Sequence, residues 1–457
     1  MATRGVNYAG DFELSHAIIM NPDESTFINL VEDTIITEIN IFETIFSNSV
    51  VGSIIFADTR ELISKFPFVG QEKLFIQLRT PSDDLNEPEH IIDHTEIPLI
   101  VHKIPIRRGI SSGAQVYEMQ FISNHAIVNA TKRISKSYVN TKSNIGEIVK
   151  DLLKMINVPD DKIILETTVG SRPYLVQNST PLSFITKLTK EAISTQNNSP
   201  HYVFFANKDG VHFRTIQNLF DQPPKGIFHG GDVGFDTPDQ NDSVSGKVIQ
   251  NYRRILDYDL VQGNDLLLNA HGGMVGSKVI EHNVYRKRIE TKTFDYFSGD
   301  FDQHQRIDSE RIYNREAIVS SSDEITNSNI TLIPVSKNKS GNDASFELGK
   351  TANQRFKTIL QRQSRFLELH KGTSVRMEVN GYTSLTAGDM VTVNLPTIGG
   401  DDDDGNIVTM YSGDYLIKGI RHKFATPLSV SRIHTMTMEV VKDGLPEPVK
   451  PLQSVLA

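Results

Sequence analysis

The chain has 457 residues, which at roughly 150 per domain is too long for one small fold and suggests about three domains. Its 56 acidic against 47 basic side chains give a formal charge of −9 at pH 7, which argues against a sequence-independent grip on nucleic acid or anionic lipid. The absence of cysteine removes disulfides, thiolate metal sites and a thiol nucleophile together, while 38% apolar and 23% charged residues suit packed cores rather than disorder.

Met1–Gly10 holds no apolar stretch of signal-peptide length. The most apolar run, Ile97–Ile106, is broken by Pro98, His102, Lys103 and Pro105 and falls short of the roughly 20 residues a bilayer demands, so no membrane insertion is expected. From Thr34 to about Ser123, β-type runs alternate with turn chemistry: Ile35–Ile41, Val50–Phe56, Leu74–Leu78, Leu99–Ile106 and Val116–Ile122. Within Leu74–Leu78 and Val116–Phe121, apolar and polar side chains alternate, as a half-buried antiparallel strand requires.

After Asn129 the period changes. Ile145, Ile148, Val149, Leu152, Leu153 and Ile156 form a helical stripe that Asn144 can cap, with Glu147 three residues on, and Pro159 ends it. Thr180-Pro181 opens a second helix whose buried side is Leu182, Ile185, Leu188 and Ala192. A hairpin follows, Tyr202–Phe205 and Val211–Ile216 around the turn Asn207-Lys208-Asp209-Gly210. The Pro-, Gly- and Asp-dense stretch Gln217–Val244 reads as a loop or junction, Val248–Val261 and Val279–Phe297 as strands, and Asp300–Gly349 as a polar, partly mobile insertion. A helix over about Ala352–His370 carries Phe356, Ile359, Leu360 and Leu367 on one side.

The last hundred residues repeat the first strands. Gly70–Thr80 matches Gly388–Thr397 with one gap, Leu99–Ile104 matches Tyr415–Ile420, and Val116–Ile122 matches Ile433–Val440. The spacings agree too, with 31 positions from Gly70 to Val101 against 29 from Gly388 to Ile417, and 12 from Ile104 to Val116 against 13 from Ile420 to Ile433. The expected fold is therefore α+β and β-rich, with two similar antiparallel, tube-like β-barrels and an intervening mixed α/β module. Residues 11–128 are assigned to the first barrel, 129–243 and 296–370 to the module with its polar insertion, 244–295 and 371–442 to the second barrel, and 443–457 to an extended C-terminal arm containing Pro446, Pro448 and Pro451.

This layout, with Leu385–Val393 and Tyr411–His422 as its strongest local features, resembles the central baseplate hub protein of contractile-tailed phages and the hub portion of related secretion-system spike proteins. The resemblance covers most of the chain. It implies a structural, non-enzymatic homotrimer in the virion's tail baseplate, assembled in the host cytoplasm. Such a ring would adapt a sixfold tail tube to a threefold spike and leave a central channel for DNA. Its implied partners are the tail tube or tube-initiator protein, the central spike protein and neighbouring baseplate proteins, with DNA present only in transit. The 300–349 insertion and the Gly399–Asn406 loop do not match the family pattern.

No chemistry is expected from the remaining motifs, so no catalytic, cofactor-binding or metal-ligating residue is assigned. Gly109-Ile110-Ser111-Ser112-Gly113 has the spelling of a nucleophile elbow but precedes a strand where an elbow serine opens a helix, so Ser111 is read as a hairpin loop residue. Asp401–Asp404 lack the spacing of a calcium loop, and His271–Lys278 does not meet the phosphate-loop order. His422 and His434 are expected on polar strand faces, and Asp257 and Asp259 share a strand face as acids pair by chance. The alternatives are a tail-tip hydrolase of cell-wall or capsule polysaccharide, which needs an acid pair in a cleft, and a monomeric carbohydrate-binding β-protein with exposed aromatics.

Overall fold

A computed structural model describes residues 8–33, 35–60, 66, 68–81, 91–111, 113–138, 144–170, 173–230, 251–262, 265–284, 287–298, 306–318, 325–335, 356–396, 410–426 and 432–446. The first part of the chain forms β1 (Glu13–Met20), β2 (Phe27–Asn29), β3 (Ile35–Thr44), β4 (Val51–Asp58), β5 (Lys73–Arg79), β6 (Ile91–Asp93), β7 (Leu99–Ser111) and β8 (Ala114–Ser123). The middle holds β9 (Ile134–Tyr138), β10 (Ile163–Leu165), β11 (Tyr174–Ser179), β12 (Tyr202–Asn207) and β13 (Gly210–Thr215) with the helices Ile145–Met155 and Pro181–Thr189. The remainder forms β14 (Ile227–Gly230), β15 (Arg254–Gln262), β16 (Gly276–Asn283), β17 (Arg288–Asp295), β18 (Ile330–Val335), β19 (Thr373–Asn380), β20 (Met390–Asn394), β21 (Gly413–Ala425) and β22 (Ile433–Val441).

Alternation explains the early strands. Leu74, Ile76 and Leu78 on β5 and Tyr117, Met119 and Phe121 on β8 all point into one core, and their intervening residues stay half-buried. The helix Ile145–Met155 seals that core from the module side with Ile148, Val149, Leu152 and Leu153, and the capping box of Asn144 and Glu147 is formed. Pro181 stands in the first turn of the second helix, and β12 and β13 pair across the Asn207–Gly210 turn.

The two strand domains share a path. In the first, the order β5-β7-β8-β4-β3 runs antiparallel throughout, and in the second so does β20-β21-β22-β19-β15. The second closes into a six-stranded barrel through β14. In the first, β1 takes the sixth place, and the short helix Leu30–Asp33 packs against both β1 and β3.

Irregularities repeat as well. A register shift lies between Ile36 and Glu38 where β3 meets β4, and another between Ile255 and Asp257 where β15 meets β19. A second matched pair falls between Val101 and Lys103 and between Ile417 and Gly419. Bulges are local and specific, so two at equivalent places in each half are hard to obtain from unrelated meanders. The first two sequence matches hold in register, since Leu74 faces Leu99 as Val391 faces Tyr415. The third is two residues out: Val101 faces Phe121 and Ile417 faces Val440, so Phe121 corresponds to Val440. A slip of two keeps every side chain on its own face, which is why alternation alone did not expose it.

Val279–Phe297, placed with the second barrel on sequence, does not join it. β16 and β17 pair with each other and with β18 to make a separate three-stranded sheet with its own core of Val279, Phe294, Tyr296 and Leu360. Strand patterning shows that a segment is a strand and not which sheet receives it. The region 300–349 thus supplies β18, and its residue Arg306 enters a buried ion cluster described below. The expected helix before His370 begins as a π-helix, Phe356–Gln361, and continues as α-helix over Arg362–Lys371.

Duplication also sets side-chain volumes. Gly52 faces Phe121 where the second barrel has Val375 facing Val440, and a Cβ on Gly52 would stand 2.4 Å from the Phe121 ring and 2.2 Å from the Asn40 carbonyl oxygen. Gly52→Ala is expected to cost about 2 kcal/mol or more in urea unfolding, with Phe121→Val in the same chain recovering only the part owed to the ring.

Candidate assembly surface

Where the two barrels meet, β3 and β21 pair antiparallel from Thr44 opposite Gly419 to Glu38 opposite Ala425, making one continuous sheet. Their outward side chains reinforce the ladder. Arg421 donates to Asn40 Oδ1 from Nε at 3.0 Å and Nη2 at 2.8 Å, and its guanidinium lies 5.5 Å from the Phe42 ring centroid. Glu38 lies 3.7 Å from Arg421 and 3.6 Å from Lys423. Half-exposed ion pairs of this kind contribute little each, so the backbone ladder and the buried residues beneath it carry the joint.

Beneath it sits Glu43, 3% exposed, at a point shared by three parts of the molecule. Its Oε1 accepts the Lys208 backbone N–H at 2.8 Å, from the β12–β13 turn. Its Oε2 accepts the Ala387 N–H at 3.2 Å and the Thr386 hydroxyl, from the loop before β20. Asn207 Nδ2 donates to the Ala387 carbonyl at 3.1 Å alongside. Burial outweighs these donors and pushes the carboxyl up to about 7. The role was missed on sequence, although Glu43 stands in phase with the core residues Ile39 and Ile41, a legible sign of a buried acid.

His422 and His434 require a correction. Both rings are fully buried inside the second barrel, with His422 Nδ1 and His434 Nε2 3.2 Å apart and the Phe424 ring stacked on His434 at 3.9 Å. Burial pushes His422 down to about 3 and holds His434 well below its ordinary value, so both are neutral. They alternate in phase with Ile420 and Phe424 and with Met436 and Met438, so the period named their face. A second buried cluster fixes the end of β22: Arg365 bridges Glu368 at 3.0 Å and Asp443, and Arg306 binds Glu368 at 2.8 Å.

The other motifs stay apart. Ser111 faces Ala114 at the β7–β8 hairpin. Asp401–Asp404 lie outside the described residues. His271 ends a one-and-a-half-turn helix, and Gly276 begins β16. Asp257 and Asp259 alternate on β15 with both side chains exposed. Among the described residues no group of three or more His, Asp or Glu is placed to hold a metal ion. A cleft of about 450 Å³ between the β12–β13 turn and Ile91–Leu99 is lined by Asp93, Glu96, Asp209, Lys208 and His94. There Asp93 accepts from Thr95 and Gln77, and burial pushes His94 down to about 4. Asp93 and Asp209 are thus engaged with their own turns.

No protein-family model matches the chain. The probable baseplate hub protein gp334 of Vibrio phage KVP40 is 21% identical over 437 residues, covering 94% of this chain and 96% of that one. Among solved structures, the 43 kDa tail protein of prophage MuSo2 from Shewanella oneidensis has a TM-score of 0.50 and 11% identity, covering 95% of this chain and 100% of its own. A tail protein of Neisseria meningitidis MC58 has a TM-score of 0.49 and 11% identity over 95% and 98% of the two chains. The chain thus resembles a baseplate hub protein along nearly its whole length and has the fold of a phage tail protein.

Glu43 makes a pH test available. Its folded value of about 7 lies above the ordinary 4.5, so the folded chain holds this proton more tightly than the unfolded one. The resulting stability is complete below about 4.5 and is lost as pH rises through about 7, a change of about 3 kcal/mol. Urea midpoints measured across pH 4.5–8 are expected to fall less steeply for Glu43→Gln than for the parent, and parallel curves would remove Glu43 from this role.

Proposed function

We propose that this protein is the structural hub of a contractile phage tail baseplate: a ring of three copies that adapts a sixfold tail tube to a threefold spike around a central channel for DNA. The carrying observation is the duplicated barrel, five strands in the same order and sense with two bulges at equivalent positions. Two like units per chain give a threefold ring six near-equivalent positions, which is the geometry required to seat a sixfold partner on one side and a threefold one on the other. The resemblance to a probable baseplate hub protein supports the same assignment.

Its partners in this reading are the tail tube or tube-initiator protein, the central spike protein and neighbouring baseplate proteins, in a virion baseplate built in the host cytoplasm. Three copies carry three times −9, or −27, a charge that disfavours adhesion of DNA passing through. Binding would rest on broad barrel surfaces, and the role needs no catalytic residue.

Light scattering should give a particle of three times 51.2 kDa, about 154 kDa. Imaging of assembled tails along their axis should place one such threefold ring at the lower end of the tube. A chain that stays monomeric, or six copies in the ring, contradicts the proposal.

A further inference from the structure

We propose that the cleft enclosed by the β3–β4 turn, the helix Pro181–Thr189, β12 and the helix Arg362–Lys371 is a carboxylate-binding site, with Arg362 as its anchor. The cleft measures about 340 Å³ and shares no lining residue with the larger one beside Asp93. The first barrel contributes Phe46 and Asn48, the module Thr189 and Phe204, and the later helix Arg362 and Phe366. Among the described residues that line it there is no Asp or Glu, and Arg362 is the one basic residue. The site rests on these side chains and is independent of the ring proposed above.

Arg362 is half-buried. Its Nη1 donates to the Pro200 carbonyl at 2.9 Å and its Nη2 reaches Thr189 Oγ1 at 3.5 Å, which uses two of the five guanidinium N–H donors. The Phe366 ring, one turn on, lies with its centroid 4.2 Å from the guanidinium carbon and covers one face. Among the described residues no carboxylate pairs with Arg362, and burial with no acid to offset it pushes the group down to about 9. Arg365, on the same helix, shows the contrast. It is more deeply buried, yet Asp443 and Glu368 outweigh that burial and push it up. Arg362 therefore carries a charge that the fold desolvates and leaves unmatched. It also stands where the π-helix Phe356–Gln361 passes into α-helix, and wide turns of this kind recur at functional sites.

The lining selects the anion. A guanidinium is a planar fork that matches the two oxygens of a carboxylate, and one positive charge balances one negative charge. The side chains of Ile45, Phe46, Val203, Phe204 and Phe366 offer no donors to a strongly hydrated dianion such as phosphate. Asn48 Oδ1 accepts from the Ser49 hydroxyl at 3.2 Å, which leaves Asn48 Nδ2 as a second donor. The Thr186 and Thr189 hydroxyls already donate to carbonyls of their own helix. Ligand cavities run from roughly 300 to 1,000 Å³, so a cleft at the small end suits one acidic side chain or one small organic acid with an apolar group against the rings. An acidic segment of an adjoining protein and a free small acid present that same chemistry.

Calorimetric titration of the full chain with phenylacetate should show one site, and the uncharged isostere phenylacetamide should bind at least ~10-fold more weakly. Both probes meet the unaltered chain, so this comparison needs no variant to fold. Arg362→Gln should weaken phenylacetate by a similar factor. Phe46→Ala keeps the guanidinium and removes one wall, so it should weaken phenylacetate and leave acetate unchanged. In competition with phenylacetate, tighter binding by the N-acetylated, amidated tripeptide Phe-Glu-Phe would support the site with an acidic protein segment as its occupant. Weaker binding by the tripeptide would support it with a free small acid. Equal binding of phenylacetate and phenylacetamide, binding of neither, or binding that Arg362→Gln leaves unchanged would overturn the site.

Discussion

A β-sheet edge has to end somewhere, and in this protein the ladder between β3 and β21 is where two barrels dispose of an edge each. Seven consecutive residue pairs, Thr44–Gly419 to Glu38–Ala425, join the two strand domains into a single sheet. Everything else at the junction follows from that ladder. Because the sheet crosses from one barrel to the other, the hairpin turn at Asn207–Gly210 and the loop at Thr386–Ala387 are both brought over the end of β3, and their backbone N–H groups need an acceptor there. Glu43 supplies it. An apolar residue at 43 would leave those donors buried and unpaired, at a cost of about 1–3 kcal/mol for each.

The choice of an acid has a consequence beyond satisfaction of donors. Glutamate offers two oxygens, so one side chain holds the module through Oε1 and the second barrel through Oε2. Burial raises the carboxyl to about 7, and the Thr386 hydroxyl can turn to accept once the carboxyl is protonated. The joint between domains is therefore satisfied in either charge state. The price is pH-dependent stability rather than an open seam.

Much of this was legible in the sequence, and for identifiable reasons. Leu74, Ile76 and Leu78 announced β5 because one face is buried and the other wet, and Asn144 with Glu147 announced a helix start because capping is a local interaction. The repeat was visible for the same reason, since equivalent strands bury equivalent faces. What was hidden depends on partners distant in sequence. Nothing in Val279–Phe297 says that its strands pair with β18 instead of the barrel, because pairing choice is set by chain connectivity and packing rather than by alternation. His422 and His434 were misplaced by residue type against period: Ile420, His422 and Phe424 share a face, and the period was the better guide. Gly381 shows what that face demands, since a Cβ there would stand 2.1 Å from the His434 ring.

The differences between the halves carry as much meaning as the likeness. β3 and β4 are joined by a short turn, whereas β15 and β19, their equivalents, are separated by the whole β16–β18 sheet and the helix Arg362–Lys371. The α/β module lies between β8 and β14, ahead of the second barrel. The shared strands are thus kept nearly alike, and each addition occurs at one place in the chain. In the proposed ring, the barrels would repeat at six near-equivalent positions while the β16–β18 sheets would stand at three. That sheet also carries exposed Ile289, Ile330 and Leu332. In that ring, a partner that reads the barrel strands would meet sixfold geometry, and one that reads the additions would meet threefold geometry. In that proposed ring, symmetry adaptation would need no switch or motion, because it would follow from which strands are duplicated and which connections are longer.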